Sequence, residues 1–261
     1  MKREAQAFFS AIQFLTRLPT PAWTGWEVGR LDRATPYFAL VGGIVGAICG
    51  AVFYIASALF TPAIAAILAL GTGIVLTGAL HEDGLADCAD GLGARDPVRA
   101  LAIMKDSHIG AFGVVALIVI LALKAAALTA MPPLLGAAAL IGAHGLSRAW
   151  LYPTLKALPY VRDPAEAKVT PISRDIVTGE WVRTIAFAIL SVTPMIAVAF
   201  AINPLRLIGC ALAIACTAIT VVVVFNVMKK RLGGWTGDTI GAQQQLAETA
   251  FLVGASAWMS I

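Results

Sequence analysis

Seven long apolar runs restrict what this 261-residue chain can fold into more than any other feature, at about 38–60, 63–80, 111–130, 133–150, 184–202, 205–228 and 246–261. About 18 apolar residues wound as a helix cross roughly 30 Å of hydrocarbon. Every backbone polar group is then bonded inside the segment, which an open sheet edge cannot achieve in lipid. Only 13% of the residues are charged and 59% are hydrophobic, whereas soluble domains carry about 25% charged residues. The expected fold is all-α: a polytopic helical membrane protein of about seven transmembrane helices.

The opening "MKREAQAFFSAIQFLTR" sets Phe8, Phe9, Ile12, Phe14 and Leu15 between charged ends. It lacks the apolar core and small-residue site of a cleavable signal, so an N-terminal amphipathic helix at the membrane surface is expected. No repeat, low-complexity tract or linker divides the chain, and residues 1–261 read as a single integral membrane domain. Cys49, Cys210 and Cys216 lie within apolar runs and read as small core residues, and Cys88 as a spacer among acids. No pair has metal-type spacing.

The runs pair into three hairpins with tips at 61–62, 131–133 and 202–205, separated by polar connections 81–110, 151–183 and 229–245. The amino terminus and these connections hold sixteen of the nineteen Lys and Arg residues. This is the positive-inside asymmetry, which places them together on the inside, cytosolic face of the membrane. The net charge of +4 therefore reports topology. No basic stripe is interleaved with exposed aromatics, so nucleic acid is not an expected partner.

Acids do not set topology, yet Glu82, Asp83, Asp87, Asp90 and Asp96 crowd into fifteen positions of "GALHEDGLADCADGLGARD". Asp83, Asp87 and Asp90 are spaced four and three apart, so on a helix they fall within an arc of about 60°. Carboxylates sharing a face repel and raise one another's pKa, a cost that a divalent cation removes. Oxygen donors without thiolates favour Mg²⁺ or Mn²⁺. His81 would point about 160° away from that face on a continuous helix, so it reads as a general base, a substrate contact or an interfacial residue rather than a ligand.

Two further segments suit phosphate. "MKDSHIGAFG" sets Lys105, Asp106, Ser107 and His108 before Gly110 and Gly113, and "KKRLGGWTGDTIGA" combines Arg231 with Gly233, Gly234, Thr236, Gly237 and Asp238. Glycine-rich N–H groups beside basic side chains can cradle phosphate oxygens. Carboxylates, a cation and phosphate donors on one membrane face suit group transfer at a diphosphate. The string Asp87-x-x-Asp90-Gly91-x-x-Ala94-Arg95 also looks like the first half of the CDP-alcohol phosphotransferase pattern. Its second half is missing.

These three segments, with "FLTRLPTP" around Arg17 and "PYFALVGGIVG" at 36–46, resemble the cobalamin synthase family, the adenosylcobinamide-GDP ribazoletransferases, over nearly the whole chain. The resemblance implies a Mg²⁺-dependent membrane enzyme that joins adenosylcobinamide-GDP to α-ribazole or α-ribazole 5′-phosphate with release of GMP. It carries the acidic motif onto Asp83, Asp87 and Asp90, the second motif onto Lys105, Asp106 and Ser107, and the third onto Arg231, Gly233, Gly234, Thr236, Gly237 and Asp238. His108 stands where many members carry arginine, and 162–172 lacks the family's Gly-rich form.

A transporter is the rival from another class, since ionisable residues within spans often mark ion paths. Lys124, Arg148, Arg206 and Glu248 fall in or beside spans. Arg148, in "GLSRAW", either reaches the cytosolic site from a helix end or snorkels. A structural subunit is a third reading, and it leaves the acidic face unexplained. Beyond membrane lipid the sequence leaves partners open, a homo-oligomer included.

Overall fold

The computed structural model describes residues 2–25, 30–162 and 178–257. Lys168 and Arg174 of the expected inner face, with most of the 162–172 segment, lie outside them. Its helices are α1 (Lys2–Leu15), α2 (Arg30–Ala34), α3 (Phe38–Leu59), α4 (Pro62–Thr77), α5 (Leu80–Gly91), α6 (Pro97–Ile103), α7 (Ala111–Thr129), α8 (Pro133–Ala149), α9 (Leu151–Ala157), α10 (Thr178–Ile202), α11 (Leu207–Arg231) and α12 (Gly237–Ser256). Among the described residues the only bridge outside helices pairs Tyr160 with Trp235 in parallel.

Five helical segments are long and apolar enough to cross a membrane: Leu31–Leu59, Ala111–Thr129, Pro133–Ala157, Gly179–Ile202 and Pro204–Arg231. Two of the seven expected spans differ. The run at 63–80 stops after the 16 residues of α4, where Gly78 and Ala79 are both left-handed (φ 64° and 57°), and α5 departs at 92°. Glycine adopts that conformation freely, whereas alanine is held there at a cost of about 1–2 kcal/mol. The last helix begins at Gly237, well inside the expected connection 229–245, because Thr236 and Thr239 close a reciprocal capping box. Gln243, Gln244, Gln245 and Glu248 lower its hydropathy and point into the protein, where all four are buried.

At the centre of the bundle α3 crosses α8. Gly42, Gly46 and Gly50 recur every fourth residue of α3. A β-carbon on them would stand 2.2, 2.5 and 2.5 Å from the carbonyl oxygens of His144, Leu140 and Ala137. Lipid offers no hydrophobic drive between helices, so close backbone packing of this kind is what holds such a pair together. The outward faces of α3, α4, α7, α10 and α11 carry exposed Ile55, Ile67, Ile118, Phe200 and Ile219, as lipid contact requires.

The amphipathic N-terminal segment is helical. Ala7, Ala11, Ile12 and Leu15 of α1 pack with Leu31, Phe38 and Leu155, while Glu4 accepts a hydrogen bond of 2.5 Å from Tyr37 Oη and an ion pair from Arg183. The cysteines are free. Cys88 is not a spacer: it is buried with Leu85, Ala100 and Met104 in a small apolar cluster that joins α5 to α6.

Candidate active site

The bend after α4 aims α5, and with it the acidic motif, across the start of α12. The two helices meet backbone to backbone. A β-carbon on Gly84 would lie 2.8 Å from the carbonyl oxygen of Asp238, and one on Gly241 would lie 3.3 Å from the backbone of His81. Glycine at these positions brings Asp238 beside Asp83 and Asp87. Burial and the charges of Asp238, Asp83 and Asp90 push the Asp87 carboxyl up to about 6, against the opposing pull of Arg162.

Arg162 is the cation of this cleft. Its Nη2 donates to Asp238 Oδ2 at 2.5 Å. It is held there by the 158–161 segment, which clamps the third motif: Trp235 N donates to the Pro159 carbonyl (2.9 Å), Val161 N to the Trp235 carbonyl (3.1 Å), and Trp235 Nε1 to the Leu158 carbonyl (3.1 Å). Gly234 is required by this clamp, since its β-carbon would stand 2.1 Å from the Pro159 oxygen. Its close neighbour is therefore the protein's own chain. Gly233 (φ 79°) and Gly237 remain exposed, with open space where a β-carbon would be, beside the α12 amino terminus that Thr236 caps.

The second motif is tied to the first by Asp90. Its Oδ2 accepts from Gly110 N (2.7 Å) and its Oδ1 from Gly113 N (2.9 Å), so it caps α7 from another helix. A β-carbon on either glycine would fall within 2.5 Å of that carboxylate, which is why "GAFG" needs both. The preceding loop exposes Lys105, Asp106, Ser107 and His108. His108 N and Nδ1 both meet Asp106 Oδ1, at 3.0 and 2.7 Å.

Other expected site residues do structural work as placed. Arg231 donates to the carbonyls of Leu92 (3.1 Å) and Ala94 (2.6 Å), joining the end of α11 to the exposed Gly93–Arg95 turn. Arg17 donates its N–H to the Leu76 carbonyl (2.7 Å) and lays its guanidinium over Gly78, at the negative end of α4. His81 is sealed beneath α12, and its Nε2 has no hydrogen-bond partner among the described residues.

Arg148 neither snorkels nor reaches the cleft. It is 1% exposed and belongs to a polar network inside the bundle that compensates its charge. Glu248 accepts from Lys124 Nζ (2.7 Å) and Gln244 Nε2 (2.6 Å). It faces His144 Nδ1 at 3.0 Å and Arg148 Nη1 at 3.6 Å. Gln245 accepts from Lys124 Nζ (2.6 Å) and donates to Glu82 Oε1 (3.0 Å). The network thus ends on the residue next to Asp83 and braces α5 against α7, α8 and α12. Lys124, Arg148 and Glu248, three of the four charges that read as a transport signature, are gathered in this one network.

With these contacts in view, comparison with known proteins is decisive. The cobalamin-5-phosphate synthase (CobS) family model matches residues 7–256. The chain belongs to this family. Proteins named adenosylcobinamide-GDP ribazoletransferase are similar along nearly their whole length. That of Leptothrix cholodnii is 38% identical, covering 98% of this chain and 97% of its own. That of Ralstonia pickettii is 37% identical, covering 100% and 98%, and that of Shewanella frigidimarina is 36% identical, covering 94% and 92%. No solved structure matches the chain. Of the residues around the cleft and in the inner network, sequence reasoning gave no site role to Arg162, Glu82, His144, Gln244 and Gln245. The i, i+4 pairs His144/Arg148 and Gln244/Glu248 were the signal available for the inner network.

Proposed function

We propose that the protein is a Mg²⁺-dependent adenosylcobinamide-GDP ribazoletransferase that acts at the cytosolic face of the inner membrane. The observation that carries this reading is the meeting of three separate motifs at α5, through Asp90 with Gly110 and Gly113, Gly84 with Asp238, and Arg231 with Leu92 and Ala94. The cleft offers carboxylate oxygen alone, which is the donor chemistry of Mg²⁺. Among the described residues no three His, Cys, Asp or Glu side chains stand together as a ready metal site, Asp238 being turned to Arg162 and Asp90 to two amides. Asp83 and Asp87, joined by Asp238, would hold the ion, and Asp90 would keep the Lys105–His108 loop over it.

A bound Mg²⁺ would offset charge on the diphosphate as the bond to GMP breaks. The chain's own part is to bring the α-ribazole hydroxyl in line with the cobinamide-bearing phosphorus. Its exposed Lys105 and the open backbone at Gly233 and Gly237 receive the nucleotide phosphate. The test is release of GMP from adenosylcobinamide-GDP by the purified protein, dependent on both α-ribazole and Mg²⁺. Absence of GMP release under those conditions would count against the reading.

Two predictions belong to this proposal. Cysteines placed at the exposed positions Ser107 and Gly233 should both react with an impermeant maleimide applied from the cytosolic side only; labelling from opposite sides would separate the two motifs. Because the Asp87 carboxyl is pushed up to about 6, it is protonated below that pH and ionised above it. Metal-dependent kcat/KM should therefore fall as pH drops through about 6, a full unit or more above where an ordinary aspartate would impose the limb.

A further inference from the structure

We infer that Arg162 is an internal counter-ion that releases Asp238 to an incoming divalent cation and then takes an anionic oxygen of the substrate's diphosphate. The inference deepens the proposed function and rests on it. Gly84 lets α5 pack on the backbone of Asp238, which brings that side chain into the field of Asp83 and Asp87 without making a ready three-carboxylate site among the described residues, and Arg162 is the guanidinium that acts against them. Among the described residues its hydrogen-bond partner is Asp238 Oδ2. The fork of a guanidinium has further N–H groups than that single bond uses.

The pair is positioned to exchange. Both side chains are about one-fifth exposed (23% and 18%), so neither is locked in the core. The backbone on each side is fixed, by the α12 capping box and by the Pro159–Trp235–Val161 clamp. A divalent ion and a guanidinium cannot share one carboxylate cluster without repulsion, so metal entry at Asp238 displaces Arg162. The displaced fork stays beside the ion because its backbone is clamped. Planar bidentate contact with phosphate is the pairing a guanidinium makes best. The same residue thus shields the acids of the empty protein from one another and binds the anion that arrives with the metal.

The experiment uses the full chain in lipid nanodiscs, with Mn²⁺ as the probe read by electron paramagnetic resonance, alongside steady-state kinetics. Removing the competing cation in Arg162→Gln should tighten Mn²⁺ binding about tenfold while raising KM for adenosylcobinamide-GDP tenfold or more. Arg162→Lys keeps the charge and loses the fork, so its Mn²⁺ affinity should stay near that of the parent while KM still rises. A merely structural tie would weaken metal binding when cut, never strengthen it. Unchanged or weaker Mn²⁺ binding in Arg162→Gln, or an unchanged KM in both variants, overturns the role of Arg162. If the parent protein binds no Mn²⁺, or Asp87→Asn binds it as well as the parent, the metal site itself falls and the inference falls with it.

Discussion

Asp87→Asn should lower turnover at least about 10²-fold while leaving the protein folded and inserted in the membrane. Asparagine keeps the shape of the side chain and removes one ionic oxygen from the cleft. Effects of that size follow when a group that stabilises transition-state charge is lost. Asp87 is the appropriate target because it lies in the middle of the convergence, within the fields of Asp83, Asp90, Asp238 and Arg162. The hydrogen bonds of Asp90 and Asp238 also serve the fold, so their replacement would mix two effects. Steady-state assay at limiting Mg²⁺ checks the expectation, and near-parental turnover would remove Asp87 from the machinery.

The largest expected loss of stability comes from Glu248→Gln. Glu248 is 2% exposed, and its carboxylate faces Lys124, His144 and Arg148. An amide there leaves the buried Lys124 and Arg148 without the carboxylate they share, and turns a donor toward groups that are themselves donors. Breaking a buried ion pair by removing one partner costs about 3–5 kcal/mol. Thermal unfolding in detergent should show a large drop in Tm. Adding Lys124→Met should recover part of it, because the double variant no longer strands that charge. A single variant as stable as the parent would show that the network is dispensable.

The sequence disclosed the spans whose outer faces meet lipid and hid the parts that meet only protein. The runs at 111–130, 184–202 and 205–228 fall on α7, α10 and α11, the spans with the least surface buried in protein, because lipid imposes apolarity on every outward residue. The start of α12 reads as a loop because its polar face is turned inward: Gln243 meets Thr154, Gln244 meets Ser147, Gln245 meets Lys124 and Glu82, and Glu248 accepts from Lys124. The spacing of Asp83, Asp87 and Asp90 did reveal one helical face, since that depends on local geometry alone. That Asp90 serves Gly110 and Gly113, and that Gly234 answers to Pro159, depends on tertiary contacts that local spacing does not encode. Arg162 was legible as a positive charge on the inner side and not as the neighbour of Asp238, for the same reason.

The cap on α7 also bears on how the chain is made. A helix entering a bilayer with bare N–H groups at its leading turn carries several kcal/mol for each group left unsatisfied in hydrocarbon. Here the acceptor is synthesised first: Asp90 leaves the ribosome twenty residues ahead of Gly110 and twenty-three ahead of Gly113. When α7 is made, the carboxylate that caps it is already in the chain. The acidic motif therefore supplies an acceptor made before the helix it caps, and α7 depends on no later segment for the partners of Gly110 N and Gly113 N.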